Sequence, residues 1–197
     1  MKVKEIELLL PEGDFKSEVL EFEPKDIKTL KEIYDEWRNL SDNLSKVNAR
    51  SVNLPEGLSE TAFCLAKDMC RVTKSIKGAN SSFDCYDING RRNRNRIQVK
   101  ACSVLPDLTS FGPKSEWDRI FFVDFFRNGD WDGTFDIYEI DTEDVNNFPV
   151  NKSETVADQK SQNRRPRFSI FDGLILENKY ISKETFKIDS KCILKLK

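Results

Sequence analysis

The chain has 197 residues, 38% hydrophobic and 34% charged, with a net charge of −2 and no histidine. That length suits one domain, residues 1–197, with a substantial core, and no apolar run approaches the roughly 20 residues of a membrane helix. Without histidine, Ser-His-Asp and Cys-His catalysis and Cys2His2 zinc sites are excluded, which leaves hydrolysis to carboxylates, lysine and a hard cation.

Acids interrupt the first apolar stretch and no small-residue cleavage site follows it, so a signal peptide is not expected. Five scattered cysteines without a CxxC pair fit a reduced, cytoplasmic protein whose thiols are small buried hydrophobes. Basic segments at 71–100 and 152–197 alternate with acidic ones at 1–47 and 118–144. One face meeting a polyanion produces that pattern, and so does ordinary surface patchiness.

In chain order, strands are predicted at 3–10 and 18–23 around the turn Pro11-Glu-Gly-Asp14. Pro24 opens a helix to about Val47, where Ile27, Leu30, Ile33, Tyr34, Trp37, Leu40 and Leu44 recur at helical spacing. A second helix is expected over 56–72, with Glu60 near its start. From residue 82 the period changes. Ser82–Tyr86 reads as a strand, Asn89-Gly90 as a tight hairpin turn, and Arg96–Val104 as the return strand. After a polar loop at 106–115, the apolar run 120–126 fits a strand buried on both faces. A further strand at 135–140, a short helix at 142–147 and a polar helix at 153–162 complete the reading. The expectation is an α/β (α+β) fold, a central mixed sheet flanked by helices.

One set of residues can carry chemistry. Asp84 lies on the first strand of the hairpin, and Gln98-Val99-Lys100 on the second supplies an i, i+2 pair that points to one face. An acid followed by (Asp/Glu)-x-Lys can supply the few parts that magnesium-dependent phosphodiester hydrolysis needs. The acids and the Val99 carbonyl hold the ion, and the lysine positions water or offsets charge. Here Gln98 stands where the second acid is usual. Glu60 is the best nearby source of the missing charge, ahead of Glu56 and Asp87. Arg91, Arg92, Arg94 and Arg96 crowd the hairpin tip. Arg164, Arg165 and Arg167 interleave with a proline and an aromatic, and such arginines can meet phosphates or guanine. Ser110, within Asp107-Leu-Thr-Ser-Phe-Gly-Pro113, suits close approach to a ligand. A structural Asp84–Lys100 ion pair is the alternative to catalysis.

Several segments occur in a recognisable order: Asn53-Leu-Pro-Glu-Gly57, Ser81-Ser-Phe-Asp-Cys-Tyr86, Ile97-Gln-Val-Lys-Ala101, Asp107–Pro113 with Glu116-Trp-Asp118, Trp131-Asp-Gly-x-Phe-Asp-Ile137, and Arg164-Arg-Pro-Arg-Phe-Ser169. Together they resemble a small family of Type II restriction endonucleases within the PD-(D/E)xK nuclease superfamily, from about residue 24 to about residue 171. The resemblance implies an Mg2+-dependent homodimer that cuts both strands of DNA at the interrupted palindrome GCNGC, beside a cognate methyltransferase in the host. It places Asp84 as the metal-binding acid and Lys100 as the catalytic lysine, with Gln98 departing from the pattern. A catalytically weak DNA-binding protein and a protein-interaction domain are the other readings.

Overall fold

The computed structural model describes residues 1–196. Strands β1 (Lys2–Leu10) and β2 (Gly13–Glu21) form an antiparallel hairpin in which Leu10 faces Gly13, so Pro11 and Glu12 alone make the turn. Helix α1 (Asp26–Lys46) buries Ile27, Leu30, Tyr34, Trp37 and Ser41, a stripe at spacings of three and four. That stripe is narrower than the sequence suggests, since Ile33 and Leu40 face outward.

Helix α2 (Glu56–Lys67) stops short of residue 72. Asp68 takes a left-handed conformation that closes the helix, and Cys70–Val72 becomes strand β3. The cause is pairing. Strands β2 and β4 (Cys85–Tyr86) would each expose an open edge, and β3 fits between them. The remaining elements are β5 (Arg96–Cys102), β6 (Thr109–Ser110), β7 (Arg119–Asp124), β8 (Thr134–Ile140), α3 (Thr142–Asn146), α4 (Val156–Ser161), β9 (Arg167–Phe168), β10 (Ser182–Ile188) and β11 (Ile193–Leu196).

Among the described residues, nine strands make one central sheet in the order β1-β2-β3-β4-β5-β7-β8-β10-β11, and β6 with β9 forms a separate pair. Within the large sheet only β5 and β7 run parallel. The architecture is thus a mixed α+β sheet with flanking helices, as expected. The C-terminal hairpin β10–β11 was not foreseen in the sequence, where charged residues mask its alternation. Nor is Asn89-Gly90 the tight turn it suggested. The β4–β5 loop runs from Asp87 to Asn95, closed by the Asp87 N–H on the Asn95 carbonyl, and its left-handed residue is Asn93. Gly90 is required for space instead, because a Cβ there would collide with Asn95 Oδ1.

Alternation along the central strands divides the core. Ile97, Val99, Phe121, Val123, Phe135 and Ile137 pack with α1 and α2, while Cys102, Ile120, Phe122, Tyr138 and Ile140 pack on the opposite side with Phe111, Phe168 and Leu174. Both faces of β7 are therefore buried, which accounts for its unbroken apolar run. Phe121 is 1% exposed and its ring lies 5.0 Å from that of Phe63. Phe121→Ala is expected to cost about 3–5 kcal/mol, seen as a lower urea midpoint at unchanged slope.

Candidate active site

Strand β4 pairs with β5 only through Cys85↔Ile97 and Tyr86↔Arg96. Just beyond, the Asp84 N–H still donates to the Ile97 carbonyl at 3.0 Å. The next bond on β5 is different: Val99 N–H donates to the Asp84 carboxylate Oδ2, at 2.7 Å. In an extended strand the N–H and C=O of one residue point to the same edge, so the Val99 carbonyl also faces the space where the ladder has ended. Gln98 Nε2 donates to the same Oδ2. Where a second acid would repel Asp84, this chain places a neutral donor against it.

Lys100 follows on the Gln98 face of β5, partly buried, with its ammonium 5.5 Å from the Phe111 ring centroid. It makes no ion pair among the described residues, so the simple Asp84–Lys100 salt bridge does not form. Burial pushes its pKa down, the Asp84 charge opposes that shift, and nearby Arg165 reinforces it. Glu60 arrives from α2 on the other side of the sheet. It is 5% exposed and accepts from Arg71 Nε through Oε2. Burial, followed by the charge of Asp84, pushes Glu60 up to about 7 against the pull of Arg71. Burial likewise pushes Asp84 up to about 6, opposed by the Val99 N–H and by Lys100. Burial is the main cause of both shifts, and the Asp84 charge adds to the one on Glu60.

Two carboxylates that resist ionisation together form a site short of positive charge. Asp84 Oδ1 and Glu60 Oε1 accept no hydrogen bond among the described residues. With the Gln98 amide oxygen and the Val99 carbonyl they make an all-oxygen donor set, which suits a hard divalent cation rather than zinc. The described residues contain no group of three or more acids, thiols or imidazoles arranged to hold a metal. Neutral oxygens and water would have to complete any shell here.

Lys100 opens onto a cleft of about 350 Å³ lined by Asn53, Leu54, Ser103, Val104 and residues 107–110. Asp107 builds one wall. Its buried carboxylate accepts from Thr109 Oγ1 (2.9 Å), Ser169 Oγ (2.6 Å), Ile170 N–H (3.0 Å) and Phe171 N–H (3.0 Å). That knot holds β6 against β9, with Ser110 opposite Arg167.

The family description for Bsp6I restriction endonuclease matches residues 22–177. The chain is also 30% identical over 163 residues to "Type II restriction enzyme Bsp6I" of Bacillus sp. (strain RFL6), covering 81% of this chain and 87% of that one. The chain belongs to the Bsp6I restriction endonuclease family. It is therefore an enzyme of the restriction endonuclease class. No solved structure matches it significantly. The residues shared with the Bsp6I family run from just before α1 to the helical turn at Phe171–Ile175, and they contain every group of the site just described. Hairpins β1–β2 and β10–β11 both lie wholly outside that span.

Within the span, the fold treats the arginines of the two basic segments differently. Arg96 is buried, and its guanidinium and backbone N–H are bound to Asp118, with Glu116 beside it. Arg92 is held by Asp14 and the Leu10 carbonyl. Arg91 and Arg94 are exposed and make no ion pair among the described residues. The hairpin tip sits at the start of β5, roughly 13 Å along the strand from Lys100, and so away from the site. Arg164 pairs with Glu154 at 2.7 Å, whereas Arg165 and Arg167 are exposed near the cleft. Sequence reasoning missed Arg71 and the Asp107 knot. Arg71 was hidden inside an expected helix, and the partners of Asp107 lie more than sixty residues away in sequence.

The raised carboxylates set a pH dependence. Folded Asp84 and Glu60 still hold protons at pH values where an unfolded carboxyl, near pKa 4, has lost its own. The cation-free protein should therefore lose stability as pH rises from about 4 through 7. Urea midpoints at pH 5 and pH 7.5 check this. The decline should flatten in the Asp84→Asn, Glu60→Gln double variant, and equal slopes in both proteins would refute the assignment.

Proposed function

We propose that this Bsp6I-family enzyme is a site-specific deoxyribonuclease of the PD-(D/E)xK type that hydrolyses both strands of DNA with Mg2+. The observation that carries the reading is Lys100, partly buried and without an ion-pair partner. It lies one strand position beyond the edge where Asp84, the Val99 carbonyl and Glu60 converge. Asp84, Glu60, the Gln98 amide oxygen and the Val99 carbonyl would hold the cation. When bound, Mg2+ supplies Lewis-acid polarisation of the phosphodiester and a more acidic water.

The chain's own residues do the rest. Lys100, its ammonium form disfavoured by burial, orients the attacking water, accepts a proton at Nζ, and offsets charge gathering on the phosphoryl oxygens. The Val99 N–H and the Gln98 amide fix Asp84 so that Oδ1 faces the reacting groups. Arg71 keeps Glu60 oriented. Ser110, Arg165 and Arg167 meet the DNA along the cleft. Arg164 joins them when released from Glu154, and Arg91 and Arg94 reach more distant phosphates. Arg92 and Arg96 serve the fold through their internal partners.

A palindromic site calls for a homodimer with twofold symmetry, and GCNGC is the sequence that the resemblance implies. Such an enzyme works in the cytoplasm, where a cognate methyltransferase must protect host DNA. Residues 1–197 act as one domain, a reading supported by the sheet that joins the first strand to the last.

Plasmid digestion tests this. Mg2+ should give discrete fragments, EDTA should abolish them, and Lys100→Ala should slow cutting at least about 100-fold. Retention of DNA without cutting would make the chain a DNA-binding protein instead, a reading favoured by the neutral Gln98. Absence of binding even at low salt would sink both. Gln98→Glu replaces the donor on Asp84 by a like charge, and should move the rising limb of the pH–rate profile to higher pH.

A further inference from the structure

The crossover between β5 and β7 carries two exposed aliphatic side chains, Val104 at 54% and Leu108 at 70% exposure. Both line the cleft that holds Lys100, and neither joins any of the three apolar clusters of the fold. A lone exposed leucine is ordinary. What distinguishes Leu108 is its frame. The preceding residue, Asp107, is fixed by four hydrogen bonds. The following residue, Thr109, is buried and paired with Phe168. Between two such anchors the Leu108 backbone cannot retreat, so the fold holds an apolar knob out from the cleft rim without a partner. A group held rigid before contact loses little entropy when contact is made.

Its surroundings indicate what it meets. Arg167 lies opposite Ser110 in the β6–β9 pair, Arg165 is near enough for its charge to act on Lys100, and Lys100 lies within the cleft. Those cations account for phosphates. The apolar part of a nucleic acid is its bases, and an aliphatic side chain held in the same cleft as Lys100 is suited to them.

We propose that Leu108 contacts the nucleobases beside the scissile phosphodiester and is a specificity-determining residue. This rests on the reading of the cleft as a DNA-cleavage site. The experiment uses the full chain with Ca2+ replacing Mg2+, so that DNA is bound without being cut. Affinity is measured for a duplex carrying the site mapped by fragment-end sequencing and for a scrambled duplex of the same composition. Leu108→Ala should lower the ratio of the two affinities about tenfold. The salt dependence of binding should not change, because no phosphate contact is lost. Leu108→Met should restore most of the ratio, and the thermal midpoint should stay constant in both variants. An unchanged ratio in Leu108→Ala overturns the proposal. A changed oligomeric state with an unchanged ratio overturns it too, by assigning Leu108 to a contact between copies. If the wild-type protein neither cuts nor binds any duplex, the nuclease reading itself fails and takes this proposal with it. That outcome is distinct from a wild type that cuts beside a variant of equal specificity.

Discussion

The ladder between β4 and β5 ends after Ile97, and the next inward amide, that of Val99, is bound by the Asp84 carboxylate rather than by a backbone carbonyl. Substituting a side chain for a strand partner has three consequences. The bond at 2.7 Å fixes Asp84 at the sheet edge. It leaves the Val99 carbonyl facing the same opening. And it commits a carboxylate to a partly buried place where Glu60, already buried, must share the region with it. The resulting shortage of positive charge is what a cation would relieve, and it arises from backbone pairing as much as from the acids themselves.

Gln98 makes sense in this setting. A glutamate there would add a third negative charge within reach of Asp84, whereas the amide donates to it. Negative charge arrives instead from α2, carried by Glu60 and steadied by Arg71 of β3. On the proposed reading, that helix-borne acid would complement a strand motif that departs from its usual form.

The parallel β5–β7 pair shapes the rest of the cleft. A parallel connection requires a long crossover, and here residues 103–118 supply it without a helix. Asp107 secures that crossover to the segment after β9 and so delivers Ser110, Arg167 and the rim at Leu108 to the neighbourhood of Lys100. Beyond the family span the edge hairpins β1–β2 and β10–β11 extend the same sheet, with Leu20 of β2 paired to Arg71 of β3.

Local physics settled much of this in the sequence alone. The absence of histidine restricted the chemistry, the helical stripe of α1 and the apolar run of β7 marked their elements, and the spacing of Asp84 to Gln98-Val99-Lys100 marked the candidate site. Those features depend on residue type and short-range period, which sequence carries directly. Other facts depend on distant partners. Arg96 is absorbed by Asp118 and Arg92 by Asp14, Arg71 emerges from an expected helix to reach Glu60, and Asp107 binds residues 169–171. Only the tertiary structure decided these, because a charged side chain takes its role from whichever opposite charge or backbone amide the fold brings within hydrogen-bond reach.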